Sequence, residues 1–169
     1  MAGPTAGGLG AAAAPVPAAT RTILTRRPEE TVVVGEALGR VARAGDLLCL
    51  WGELGAGKTQ LAKGIAKGLG IEHTVNSPTF ILMNEYRGRL PLFHVDLYRL
   101  ADAADALAGG VVDDRQTDGV TVVEWPERMG DVLPAQRLDV RIEGTGDEVR
   151  TIELSTPDPA LARLVEAPR

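Results

Sequence analysis

Residues 47–59 read LLCLWGELGAGKT, an apolar run that passes directly into a glycine-rich loop ending on Lys58 and Thr59. The run predicts a strand over 46–51. The segment after it, TQLAKGIAKGLG, places Leu61, Ile65 and Leu69 at i, i+4 and i+8, with Lys63 and Lys67 on another face and Gly70 at the stop. Gly52, Gly57, Lys58 and Thr59 satisfy the spacing GxxxxGK[ST], which a chain of this composition matches by chance in roughly 0.4% of cases. A strand, this loop and an amphipathic helix, in that order, form the frame of a phosphate-binding loop.

Each position has a chemical reason. Gly52, Gly55 and Gly57 let the backbone turn tightly and come close to oxygen atoms, which a Cβ would obstruct. The N–H groups of about residues 55–60 then face phosphate, aided by the positive end of the following helix. Gly55, Ala56, Gly57, Lys58, Thr59 and Gln60 are the expected nucleotide contacts. Lys58 should reach the β- and γ-phosphates of ATP, and Thr59 should offer its hydroxyl to Mg2+. A magnesium site also needs an acidic residue at a neighbouring strand end. Glu124 in VTVVEW follows four small or apolar residues and is the expected metal partner of Thr59. Asp96 in FHVDLY is expected to position water or to hold the metal through its shell, which makes Lys58 and Asp96 the catalytic candidates. A structural role remains open for either carboxylate, as a partner of a nearby arginine such as Arg99.

Outward from the loop the chain alternates helix and strand signals. Residues 29–43 carry Val34, Leu38 and Val41 at helical spacing, with Thr31 placed to cap the start and Gly45 to mark the stop. Strands are expected at 80–86, 91–98 and 120–125. LDVRIE (138–143) and VRTIELS (149–155) flank GTGD as a hairpin, and a short helix is expected over 159–166. Together these predict a three-layer α/β domain of the P-loop NTPase type, with a mixed, mostly parallel sheet and a C-terminal hairpin. The expected organisation is a disordered Ala/Pro/Gly-rich tail over 1–28, an ATPase domain over 29–156 and a C-terminal helix or tail over 157–169.

Composition narrows the function further. The 169 residues carry a net charge of −5, so the surface as a whole does not favour direct contact with nucleic acid. No run of about 18 uncharged apolar residues is present, and no membrane association is expected. The lone cysteine, Cys49, lies within the apolar run and reads as a small buried hydrophobe. With no secretory leader read at the start, a soluble cytoplasmic protein is expected.

GELGAGKT (52–59), SPTF (77–80), HVDLYRL (94–100) and VVEWPERM (122–129), in this order and at these spacings, resemble the TsaE family, also called YjeE. The resemblance spans about residues 29–143. It implies a bacterial P-loop ATPase of tRNA threonylcarbamoyladenosine modification. Such a protein acts with TsaD and TsaB and meets tRNA only through that complex, resetting the transferase rather than performing the transfer. It further implies that Thr59 and Glu124 match the family's magnesium residues, Asp96 its acidic strand-end residue and Trp125 the tryptophan that follows. Ser77, Pro78 and Thr79 match a loop that resembles a switch facing the γ-phosphate. Gln60 and Glu53 depart from the Thr and Asp common in the family, and Gln60 replaces a hydroxyl at one phosphate contact.

Alternatives from other classes are a small-molecule P-loop kinase and a nucleotide-dependent binding module without turnover. A kinase would need an acceptor-binding region and an arginine-rich lid, and apart from Arg87, Arg89 and Arg99 the sequence shows no such cluster. A guanine-selective GTPase lacks its Asn-Lys-x-Asp here. Plain structural readings also stand for several residues: Trp125 as a core aromatic, 77–79 as a capped turn, His73 as a loop residue, and Arg26 and Arg27 as solvated. His94 alternates with Asp96 on one strand face and so lies near the candidate site. The stretch from Pro28 to Thr31 is a candidate for contact with the adenine.

Overall fold

The computed structural model describes residues 16–78, 82–102, 104–105 and 114–169. Seven strands form one sheet: β1 (Ala19–Thr25), β2 (Leu47–Trp51), β3 (Met83–Tyr86), β4 (Leu92–Asp96), β5 (Val120–Glu124), β6 (Leu138–Glu143) and β7 (Arg150–Thr156). Their spatial order is β1-β7-β6-β2-β5-β4-β3. The central strands β6, β2, β5 and β4 run parallel, and β1, β7 and β3 are added antiparallel. This is the expected mixed α/β sheet with its C-terminal hairpin, β6–β7. All five side chains of β5 are buried, as a parallel strand covered on both faces requires.

The parity of the central strands divides the core in two. Leu48, Leu50, Leu92, Val120 and Val122 face the layer of α1 (Pro28–Val41) and α2 (Lys58–Gly68). Cys49, Val95 and Val123 face the other way, against Leu97 and Met129, the latter from a 3-10 segment over Pro126–Val132. Cys49 is fully buried, and loss of water pushes its thiol up to about 12.

The two long helices touch backbone to backbone. A Cβ on Gly35 or Gly39 would lie 2.3 or 2.2 Å from the carbonyl oxygens of Leu61 and Ile65. On Gly64 or Gly68 it would lie 2.1 or 2.3 Å from those of Val32 and Glu36. Four glycines spaced by four on facing helices therefore set the distance between α1 and α2. At the far end of the pair, Arg89 donates to the carbonyls of Gly39 (2.9 Å) and Ala42 (3.0 Å), and its own N–H bonds Leu69 O at 2.7 Å. The loop before β4 thus closes the C-termini of both helices, where carbonyls lack helical partners.

Two expectations need correction. The tail expected over 1–28 does not extend to residue 28. Ala19–Thr25 pair along their full length with β7, and Pro28 opens α1. The local pattern is weak because the inward positions 19, 21, 23 and 25 hold Ala, Arg, Ile and Thr, and the strand is made by its distant partner. Residues 1–15 lie outside the described ones. Thr31 is not the helix cap. It sits inside α1, buried, with its hydroxyl 2.9 Å from that of Thr25, while Glu30 reaches back to the Arg26 N–H at 2.6 Å. The short helix expected over 159–166 is present, as a 3-10 turn (Pro159–Leu161) followed by α3 (Ala162–Glu166), whose Leu164 and Val165 join the main core. It is fastened by Arg163, bonded to the nearly buried Asp46.

Candidate phosphate and metal site

The chain leaves β2 at Trp51 and turns through Gly52, Gly55 and Gly57, all at positive φ (151°, 83° and 113°). A Cβ at Gly52 would lie 2.6 Å from Ile142 O, so that position admits no side chain. Gly57 precedes α2 without a side-chain cap, and no acidic residue occupies the first turn. The positive end of α2 therefore opens onto the loop with its N–H groups available to an anion.

Lys58 is buried in this loop. Its ammonium donates to the carbonyls of Gly52 and, at 2.9 Å, Glu53, and lies 4.1 Å from the centre of the Trp125 ring. Burial lowers its pKa below the usual lysine range, against the opposing pull of Glu124 and other carboxylates. Trp125 is held at φ 60° and ψ 48°, a strained conformation for a large side chain, and its ring lies 5.0 Å from that of Tyr98. Its position over Lys58 is more than a core aromatic requires.

Thr59, in the first turn of α2, meets the acidic strand end. Its hydroxyl lies 3.2 and 3.4 Å from the two Glu124 oxygens and 2.9 Å from the Ser77 hydroxyl, and Ser77 lies 3.4 Å from Glu124. Neighbouring ligands of an octahedral Mg2+ ion lie about 3 Å apart. The Thr59 hydroxyl and the Glu124 carboxylate, both hard oxygen donors, therefore fit one such ion without rearrangement. Asp96 is the cross-strand partner of Glu124 in the β4–β5 register, one strand over at the same sheet edge. Burial raises its pKa and the negative charge of Glu124 adds to the effect, while the Tyr98 N–H, 3.0 Å from Oδ1, opposes it.

His94, fully buried, places Nε2 2.8 Å from Glu124 Oε1. A carboxylate accepts, so Nε2 carries the hydrogen, and Nδ1 has no partner among the described residues. The charge of Glu124 is thereby held from behind, and its remaining lone pairs face Thr59 and Ser77. The sequence placed His94 near the site through its alternation with Asp96 but did not reveal this bond.

Two cavities flank the loop. One of about 410 Å3 is lined by Lys58, Thr59, Ser77, Asp96, Glu124 and Trp125, among others. The second, about 230 Å3, lies between Pro28 and Thr31 on one wall, Gly55–Gly57 and Gln60 on its floor, and Glu148 and Arg150 on the other wall. Ala56 is buried under this floor and joins the core. Expected contacts 55, 57 and 60 thus line both cavities. Thr79 lies outside the described residues, and of the arginines considered for a lid, Arg89 is engaged at the opposite end of α2.

The family model described as Threonylcarbamoyl adenosine biosynthesis protein TsaE matches residues 25–152. The chain belongs to the TsaE family. A Bacillus subtilis protein described as tRNA threonylcarbamoyladenosine biosynthesis protein TsaE is 44% identical over 129 residues, 76% of this chain and 80% of that one. A Treponema pallidum protein of the same description is 38% identical over 132 residues, covering 78% of this chain and 98% of its own. The crystal structure of Bacillus subtilis YdiB superposes with a TM-score of 0.71 at 36% identity, over 88% of this chain and 93% of that one. The TsaE match covers the loop, the Ser77 segment, β4 and β5, so the residues of the site all lie within it.

Proposed function

We propose that this TsaE-family chain binds and hydrolyses ATP as a subunit of the assembly that forms threonylcarbamoyladenosine in tRNA, acting with TsaD and TsaB and resetting them between cycles. The observation that carries the reading is the convergence of Thr59, Ser77 and Glu124 within 3.4 Å at the open start of α2. The first cavity then takes the phosphates and the second the adenine, between the start of α1 and the β6–β7 turn.

In this reading Lys58 exchanges the carbonyls of Gly52 and Glu53 for phosphate oxygens, which relieves its burial with a full opposite charge. Thr59 and Glu124 would hold Mg2+, which when bound neutralises charge developing on the phosphates. Ser77, bonded to Thr59, reports the occupancy of that position to its own loop. Asp96, with its raised pKa, accepts a proton from the attacking water or orients it. No arginine is among the described residues that line the first cavity, where the phosphates would sit, so turnover alone should be slow and partner contact should accelerate it. Soluble behaviour and a cytoplasmic location accord with this role, and no helix among the described residues is long and apolar enough to cross a membrane.

The test is ATP hydrolysis by the purified chain, alone and with TsaB, TsaD and tRNA. Stimulation of at least tenfold by the partners is expected. Equal rates in all mixtures would remove the coupled role, and absence of ATP binding would remove the site.

A further inference from the structure

Arg150 opens β7 and reaches back across the sheet edge to the phosphate loop. Its Nε donates to Ala56 O at 3.0 Å and its Nη2 to Gly55 O at 3.4 Å. The same guanidinium holds its own turn, through Gly146 O at 2.9 Å and Glu148 O at 2.5 Å. Every one of these partners is a backbone carbonyl, so the positive charge is not cancelled by a carboxylate among them. The turn is shaped for this: Gly144 has φ 101°, and a Cβ there would meet Val149 O at 2.6 Å and the Arg150 stem at 3.3 Å.

Two peptide units are fixed as a result. Carbonyl and N–H point in opposite directions across a trans peptide. With Ala56 O turned to Arg150, the Gly57 N–H must point to the other side of the loop. The unit before it is held at both ends, by Arg150 on Gly55 O and by the Ala56 N–H on Glu53 O at 3.1 Å. Glycines at 55 and 57 give these units little resistance to flipping. A flip of the second would turn a carbonyl oxygen toward a bound phosphate.

We infer that Arg150 is a positioning residue for nucleotide binding: it clamps the Gly55–Ala56 and Ala56–Gly57 peptides with their carbonyls outward, and so keeps the loop in its anion-accepting form. This rests on the reading of the loop as a phosphate site. The clamp also couples the β6–β7 turn to that site, because one guanidinium bonds both.

The test is calorimetric binding of ATP and of inorganic triphosphate, each with Mg2+, to the parent chain, Arg150→Gln and Arg150→Lys, with steady-state hydrolysis alongside. Arg150→Gln should weaken both ligands about tenfold and raise KM by the same factor, with kcat within about threefold. Arg150→Lys should recover only part of the loss, since an ammonium does not reproduce the planar fork. Should the glutamine variant fail to melt cooperatively, the lysine variant alone decides. A folded variant that binds triphosphate within twofold of the parent overturns the clamp, as does full recovery by lysine. A loss confined to ATP would assign Arg150 to the base instead and also overturns it. A parent chain that binds neither ligand would refute the phosphate site itself, a distinct outcome.

Discussion

Asp96 carries its charge into a half-buried position one strand away from a second carboxylate, and both burial and Glu124 raise its pKa. In the folded chain the proton is therefore held more tightly than in the unfolded one. The stability this confers is complete below the ordinary carboxylate value and is lost as pH rises through the raised folded value. At neutral pH the ionised side chain is a cost to the fold, and Asp96→Asn should raise the melting temperature at pH 7. Near pH 3 the difference should vanish, since both side chains are neutral there. Turnover should fall about 10²- to 10⁴-fold in the same variant. Melting curves at the two pH values check the first statement, and a variant less stable at both would refute it. His94 makes a complementary case, because its bond to Glu124 fixes the carboxylate proposed to hold Mg2+ without touching the ligand. His94→Phe should lower the Mg2+ dependence of ATP binding about 10- to 100-fold, read by calorimetry at graded Mg2+. Binding that tracks Mg2+ as in the parent would show that Glu124 needs no such support.

Helices α1 and α2 meet through glycines whose missing side chains are replaced by the other helix's backbone. Gly39→Ala places a methyl 2.2 Å from Ile65 O, and the helices must separate to admit it. A loss of about 2–3 kcal/mol is expected from urea unfolding, although alanine alone would favour a helix. An unchanged or raised midpoint would mean the helices part freely. This element also marks the limit of what the sequence discloses. Helix α2 was legible because Leu61, Ile65 and Leu69 repeat locally, and the loop because its glycines, Lys58 and Thr59 are contiguous. The glycine contact was not, since Gly39 and Gly68 are set apart in the chain and each reads alone as a mere weakness in its helix. For the same reason Glu124 and Asp96 were found from their strand ends, whereas the His94 bond and the reach of Arg150 depend on sheet order. Strand β1 was missed because its inward residues are half polar and its hydrogen bonds belong to β7.

At the scale of the molecule, β1 covers the outer edge of β7, and Leu164 and Val165 of α3 join the same core. A chain beginning at Arg26 would lose that strand and leave β7 with a row of unpaired backbone groups. Such a truncation should lower stability and promote concentration-dependent association, visible by urea titration and size-exclusion chromatography. A monomer of unchanged midpoint would show β1 to be dispensable.

The same sheet hides one more capability. Cys49 sits at the centre of the strand that feeds the glycine-rich loop, with no solvent access and a thiol held almost entirely in its unreactive protonated form. As it is the sole sulfhydryl in the chain, a small alkylating reagent can mark it only after the middle of the domain has come apart. The unaltered protein thus contains its own stopwatch for global opening, and slower labelling with nucleotide present would measure occupancy of the loop without a dye, a tag or an engineered reporter.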